Sequence, residues 1–252
     1  LELSFRVKVR AKVSEEGEIA VPANLFSDLV ATLPVGVVDL SDKKQTLIIE
    51  GEKVRAEVVG QSSEEFPALP KTKGKGLEID VAELVEKVER VGIAAAKDDA
   101  RPILAGVLWI FDKKRITLAA TDGYRLGVDY FKNDAAETAG DTQKFVLPVR
   151  ALMELTRVLE PAMKTVKVEF DNDKQQVIFQ ADDIEMSSRL IAGEFPPYTK
   201  VIPTEKKITV VIDKEALMEA VKRASLFARD SANVVKLAVS EGGVAVTAQS
   251  DQ

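Results

Sequence analysis

The chain has 252 residues, of which 46% are hydrophobic, with no cysteine, no histidine and a formal net charge of −6. These absences exclude disulfides, thiolate or imidazole metal sites and every catalytic triad built on histidine. No apolar run approaches the roughly 18 residues of a membrane span. The missing cysteines suit a reducing compartment, so we expect a cytoplasmic location and no membrane partner.

The first predicted helix follows Pro22, in the stretch 21–34 (VPANLFSDLVATLP). Proline in the first turn, followed by leucines three and four residues apart, is typical of an amphipathic helix. The pattern returns at 147–161 (LPVRALMELTRVLEP), offset by 126 positions (148 − 22). Each copy leads through strand-like runs to a Glu-Phe-Pro motif, at Phe66 and at Phe195.

A second repeat alternates with the first, at 79–91 (IDVAELVEKVERV) and 212–224 (IDKEALMEAVKRA). Repeats of this length are whole domain units. We therefore predict one complete domain of two helix-and-strands halves at 77–203. Residues 1–76 match the C-terminal half of a preceding domain, and residues 204–252 match the N-terminal half of a following one.

Polar segments with proline or glycine, at 70–76 and 203–207, are predicted to link these domains. On this division the chain begins and ends inside domains, so we expect a fragment or a chain whose ends are unresolved. An alternative hypothesis is that the two half-domains complete each other between chains.

The stretch ATDGYRLGVDY, at 120–130, contains Asp-Gly between alternating apolar residues. This pattern strongly indicates a hairpin turn. On the residues alone, Asp122 and Gly123 form a turn, Leu126 fills the core and Tyr124 lies on the surface. The alternative is that the corner is also a binding site.

Four segments in chain order carry a family resemblance: KDDARPILAGVLWIF, ITLAATDGYRLGV, FVLPVRALMELTRVL and GEFPPYTKVIP. Together they resemble the bacterial DNA sliding clamp, the beta subunit of DNA polymerase III, along essentially the whole chain. The resemblance implies an α+β DNA-clamp fold of repeated domains, with sheets outside and helices lining a ring. It also implies a homodimeric ring of two three-domain protomers around double-stranded DNA, which tethers a polymerase without a cofactor and without catalysing a reaction.

The resemblance makes the corner one wall of a hydrophobic pocket for short peptide motifs. Its expected users are the DNA polymerase III catalytic subunit, the clamp loader and repair polymerases. Burial of an apolar anchor there contributes about 25 cal/mol per Å². The matching residues are Leu104, Thr121, Gly123, Tyr124, Arg125, Leu126, Pro196, Lys200 and Val201. The family draws the rest of the pocket from a segment outside this sequence, so we expect reduced peptide affinity.

A sliding ring is expected to contact phosphates through diffuse positive charge and to read no bases. The net negative charge allows this if the lining is basic. On spacing alone the helical cations are ordinary solvated residues; the resemblance favours a DNA-facing role. The candidates are Lys87, Arg90, Lys97, Arg101, Arg150, Arg157, Lys222 and Arg223. The helix after Pro22 has neither lysine nor arginine, which puts its contribution in doubt.

The resemblance also places ring closure at an edge strand, 52–58, and at a helix of the third domain. The matching contacts are Lys53, Arg55, Ala56, Leu226 and Phe227. Ala56 stands where the family often has an aromatic residue, so we expect a weakened interface. Without the resemblance, the two basic residues would be a solvated edge that guards against aggregation.

Two other functions were weighed. A carboxylate-based metal phosphohydrolase would need pairs such as Asp98 with Asp99 or Asp182 with Asp183. Adjacent strand residues point to opposite faces and rarely chelate one ion, and no Walker motif is present. The remaining alternative is a protein-interaction scaffold of the same fold that does not encircle DNA.

Overall fold

A computed structural model describes residues 2–70, 76–98, 100–112, 115–132, 143–171, 175–205, 207–229 and 232–249. The chain divides into two compact units, Leu1–Tyr198 and Thr199–Gln252. Within the described residues, no helix has the length and apolar character needed to cross a lipid bilayer.

Three helices of the first unit and one of the second follow the predicted repeats. They are α1 (Ala23–Thr32), α2 (Val81–Gly92), α3 (Val149–Val158) and α4 (Lys214–Ala228). The second repeat starts each helix with an aspartate cap. The Asp80 carboxylate accepts the Glu83 N–H at 2.9 Å, and the Asp213 carboxylate accepts the Ala216 N–H at 2.8 Å. A capping aspartate satisfies an N–H that has no partner inside the helix.

All strand pairs in the first unit are antiparallel. The strands are β1 (Leu3–Val7), β2 (Val38–Asp42), β3 (Thr46–Gly51), β4 (Val54–Val59), β5 (Leu77–Asp80), β6 (Gly106–Phe111), β7 (Arg115–Thr121), β8 (Leu126–Lys132), β9 (Gln143–Pro148), β10 (Thr165–Asp171), β11 (Gln176–Ala181) and β12 (Ile184–Arg189). They form sheets in the orders β1-β12-β11-β10-β5, β8-β7-β6-β9 and β2-β3-β4. In the second unit, β13 (Lys236–Ser240) pairs with β14 (Gly243–Thr247).

The main core lies in residues 77–198, which we call the central segment. Helices α2 and α3 pack against each other and against strands from the two larger sheets. Trp109 is fully buried, and its ring stacks on Phe111 and Phe131 with centroids 6.1 Å apart. Aromatic residues bury large areas and form the most stable part of such a core.

A strand pairing joins residues 1–70 to the central segment. Strand β1 pairs with β12 along five residues, from Leu3 with Ser188 to Val7 with Ile184. Helix α1 packs on a separate small core of Leu47, Ile49 and Val58. No local sequence pattern predicts the β1–β12 pairing, because the partner strands are far apart in the chain; Arg6 and Glu185, for example, are 179 positions apart.

Candidate functional site

The predicted hairpin is present, and its loop is held by its own side chains. Strand β7 ends at Thr121, which pairs with Leu126 at the start of β8, so four residues form the loop. The Asp122 carboxylate accepts the N–H groups of Tyr124 at 2.9 Å and Arg125 at 3.0 Å. Gly123 has φ +97°, a backbone conformation that strains residues with a side chain. The loop is therefore held in one conformation by its own residues.

Charge also stabilises this loop. The Arg125 Nε donates to Asp122 Oδ2 at 2.9 Å. The pKa of Asp122 is lowered, first by the Arg125 backbone N–H, then by the Tyr124 N–H, and further by the Arg125 guanidinium. Asp122 therefore stays ionised and keeps Arg125 directed along the loop.

Arg101 joins this corner, although the resemblance grouped it with the DNA-facing residues. Its guanidinium Nη2 donates to the carbonyl oxygen of Asp122 at 3.1 Å. The same guanidinium lies 3.6 Å from where a Cβ on Gly123 would stand. Arg101 thereby links the 3-10 turn Pro102–Ala105 to the hairpin. The two residues are 21 positions apart, so no local pattern indicated the contact.

The predicted pocket residues differ in how much surface they present. Tyr124 is 99% exposed, whereas Leu104 is 4% exposed. Among the others, Gly123, Arg125 and Pro196 are exposed, and Thr121 and Leu126 are half-buried. Leu104 therefore offers little surface itself. In the second unit, Lys200 and Val201 are both exposed.

Five of the eight predicted DNA-facing cations fall into two groups. The first group is exposed and has no ion-pair partner among the described residues; its members are Lys97, Arg150 and Lys222. Within the second group, Arg157 pairs with Glu154 on α3, and Arg223 pairs with Glu219 on α4 at 3.3 Å. Exposed pairs of this kind hold their partners weakly. These arginines therefore remain open to other anions.

Lys87 and Arg90 of α2 lie in a denser network. The Lys87 Nζ lies 3.4 Å from Asp129 Oδ1 on β8, and Arg90 Nη1 lies 2.8 Å from Asp129 Oδ2. Burial alone would raise the pKa of Asp129. The Tyr130 N–H and the charges of Lys87 and Arg90 outweigh burial and lower it overall. Asp129 is thus a negative charge shared by two cations.

The residues predicted at a ring interface lie on β4, on the turn before it and on α4. Strand β4 pairs only with β3 among the described residues, so its other edge is open. Arg55 pairs with Glu50 at 2.6 Å and with Glu57 at 3.2 Å. Ala56 packs inward on the small core of its own sheet.

The other predicted interface residues are accessible. Lys53 lies in the turn between β3 and β4. On α4, Leu226 is 57% exposed and Phe227 is 61% exposed.

The carboxylate pairs considered as metal ligands include Asp182 and Asp183. These two residues lie in the turn between β11 and β12, so the strand-face argument does not apply to them. Asp99 lies outside the described residues, as do residues 71–75 of the predicted linker. Across the described part of the chain, no group of three or more carboxylates is arranged to hold a metal ion.

Profiles of three consecutive domains of one family match this chain. The N-terminal domain of the DNA polymerase III beta subunit matches residues 1–70, the central domain matches 78–197 and the C-terminal domain matches 199–252. The chain belongs to the DNA polymerase III beta subunit family. The resemblance stated from the four motifs is thereby confirmed.

Individual relatives agree with the family assignment. The beta sliding clamp of Staphylococcus aureus is 28% identical over 244 residues, which are 95% of this chain and 63% of that protein. The beta sliding clamp of Bacillus subtilis is 30% identical over 228 residues, which are 89% of this chain and 59% of that protein. The chain thus spans less than two thirds of the length of these relatives.

Solved structures confirm the predicted fold. The DNA polymerase sliding clamp from Bacillus subtilis superposes with a TM-score of 0.86 at 28% identity, covering 100% of this chain and 71% of that one. The clamp fold predicted from the resemblance, with helices and antiparallel sheets in repeated domains, is therefore correct.

Proposed function

We propose that this chain acts as a DNA sliding clamp, a processivity factor that encircles double-stranded DNA and tethers the replicative polymerase. The observation that carries the proposal is the collinear match to all three domains of the family along the chain. The proposed activity is mechanical: it involves no catalysed reaction and no cofactor, and it takes place in the cytoplasm.

DNA is held without sequence recognition in this proposal, through cations on the helices. Arg150 on α3 and Lys222 on α4 carry most of this attraction, since both are exposed and unpaired among the described residues. Lys97, Arg157 and Arg223 add to it. Diffuse contacts of this kind release counterions on binding and allow the ring to move along the duplex.

Partners bind at the corner of β7 and β8 in this proposal. They are the DNA polymerase III catalytic subunit, the clamp loader and repair polymerases, each through a short peptide. The ordered loop supports the proposal, because Tyr124 is fully open while Asp122 and Arg101 hold the backbone beneath it. A preorganised site costs less ordering free energy when a peptide binds.

We further propose a homodimeric ring and the domain division given above. The open edge of β4 and the exposed Leu226 and Phe227 support a role in ring closure. Residues 1–76 and 204–252 are proposed as halves of the first and third domains, with 77–203 as the complete second domain.

Topological retention on DNA tests the function. The protein is loaded by a bacterial clamp loader onto a nicked circular duplex and passed over a gel-filtration column. We expect it to elute with the DNA, and to be lost when the circle is cut before the column. The same DNA with no loader is the control. A protein that never elutes with circular DNA would instead be an interaction scaffold of the same fold.

A further inference from the structure

Asp129 is placed to neutralise two of the predicted DNA-facing cations. It lies on β8, beneath α2, and its side chain is 13% exposed. One carboxylate oxygen faces the Lys87 ammonium at 3.4 Å, and the other accepts from the Arg90 guanidinium at 2.8 Å. A single carboxylate thus forms ion pairs with both cations, which lie at positions i and i+3 of α2.

Lys87 is further enclosed by its other neighbours. Its side chain is also 13% exposed, and its Nζ lies 3.3 Å from Glu83 Oε1. The same nitrogen lies 5.5 Å from the Phe131 ring centroid and 6.0 Å from the Tyr130 ring centroid. Rings at this distance attract a cation. Lys87 therefore has partners on several sides and little surface open to an outside anion.

The matching helix of the repeat carries the same arginine–glutamate pair. Arg223 on α4 corresponds to Arg90 (offset 223 − 90 = 133), and its Glu219 corresponds to Glu86. Both arginines pair with the glutamate four positions earlier, and both side chains are largely exposed. Ala220 stands where α2 has Lys87. The contact of the α2 arginine with Asp129 is an addition to an arginine–glutamate pair that both helices carry.

We propose that Asp129 is an internal competitor for the cations of α2, which withholds Lys87 and Arg90 from the phosphates of DNA. The inference rests on the proposed function. Carboxylate and phosphate compete for the same ammonium and guanidinium groups. A cation already neutralised within the protein releases no counterion when DNA binds, so it adds little to the salt-dependent affinity. Asp129 thereby weakens the hold of α2 on DNA, which suits a ring that slides.

Salt-dependent DNA binding of Asp129→Asn tests the proposal. Fluorescence anisotropy with a short labelled duplex is measured over a series of NaCl concentrations. We expect the slope of log K against log [NaCl] to steepen by about 0.9 for each cation released, up to about 1.8 for both. Asp39→Asn, on the exposed strand β2, is the control for a change of one unit in net charge. It should leave the slope unchanged.

A double-mutant comparison separates release of cations from a change in fold. Lys87→Ala should reduce the slope at least twice as much in the Asp129→Asn background as in the wild-type background. Equal reductions in both backgrounds would overturn the proposal, as would an unchanged slope in a folded Asp129→Asn protein. Circular dichroism and thermal melting establish that each variant is folded.

Chemical labelling tests, without DNA, whether Asp129 shields Lys87. Lys87 should react slowly with an amine-acylating reagent in the wild-type protein and several-fold faster in Asp129→Asn, as measured by mass spectrometry of the peptide. Equal rates would overturn the inference. Failure of the loaded wild-type protein to elute with circular DNA would overturn the proposed function, while the labelling result would still decide whether Asp129 shields Lys87.

Discussion

The central segment and the segments that flank it carry matching helices with very different burial. In the central segment α2 buries Leu84 and Val88, and α3 buries Leu152 and Leu155. Helix α1, the counterpart of α3, buries no residue. Helix α4, the counterpart of α2, buries only two alanines.

The strands show the same contrast. Ile79 in β5 is 5% exposed, because its side chain lies in the main core. Its counterpart Ile212 is 40% exposed and belongs to none of the described strands. An amphipathic pattern therefore predicts where a helix lies, but not how much of it is buried. Burial of an amphipathic helix requires a facing apolar surface, and α2 and α3 share one with the strands of the two larger sheets.

The largest expected loss of stability follows from a substitution in the core of the central segment. Leu84→Ala should lower the free energy of unfolding by about 2–5 kcal/mol, because it leaves a cavity in a fully buried site. The counterpart change, Leu217→Ala on α4, should cost less than about 1.5 kcal/mol, because that side chain is only half-buried. Urea unfolding of both variants measures the difference. Equal costs would show that α4 is as well packed as α2.

Loss of a helix cap should reduce stability less than a core cavity does, and the reduction should be equal for α2 and α4. Asp80→Ala and Asp213→Ala each remove a helix cap that accepts one backbone N–H. Each should reduce the stability of its helix by about 1 kcal/mol, because capping depends on the first turn and not on the core. Amide hydrogen exchange in the first turns of α2 and α4 reports both. A loss of protection against exchange in α2 alone would contradict the view that capping depends only on the first turn.

The smallest expected effect is a dependence of folding stability on pH, which arises from Asp129 in the central segment. The pKa of Asp129 lies below the ordinary aspartate value of 3.8. Its interactions with Lys87 and Arg90 therefore stabilise the folded state above pH 3.8 and are lost as the pH falls through the lowered pKa. The acids facing the same cations are Glu83 and Glu86, which are more exposed.

Urea unfolding of the wild-type protein and Asp129→Asn, from neutral pH into acid, measures this contribution. The stability difference between them should be constant at neutral pH and should shrink below pH 3.8. A difference that persists in acid would mean that the aspartate acts through packing and not through its charge. Asp39→Asn should show no such change.

Local patterns in the sequence determined the secondary structure and the family. Proline at 22 and 148 and the spacing of leucines predicted α1 and α3, and the second repeat predicted α2 and α4. Asp-Gly at 122–123 was sufficient for the hairpin. Each signal acts within a few residues, because a helix cap or a turn needs only its own segment.

Only the tertiary structure decided which charges are available to a ligand. The sequence grouped Lys87, Arg90 and Arg101 as DNA-facing cations, whereas the fold brings the first two to Asp129 and the third to the hairpin corner. Asp129 lies 39 positions from Arg90. A helix pattern defines which residues share a face, but the charge opposite that face comes from a strand elsewhere in the chain. That placement arises from the packing of α2 on β8, which no local spacing encodes.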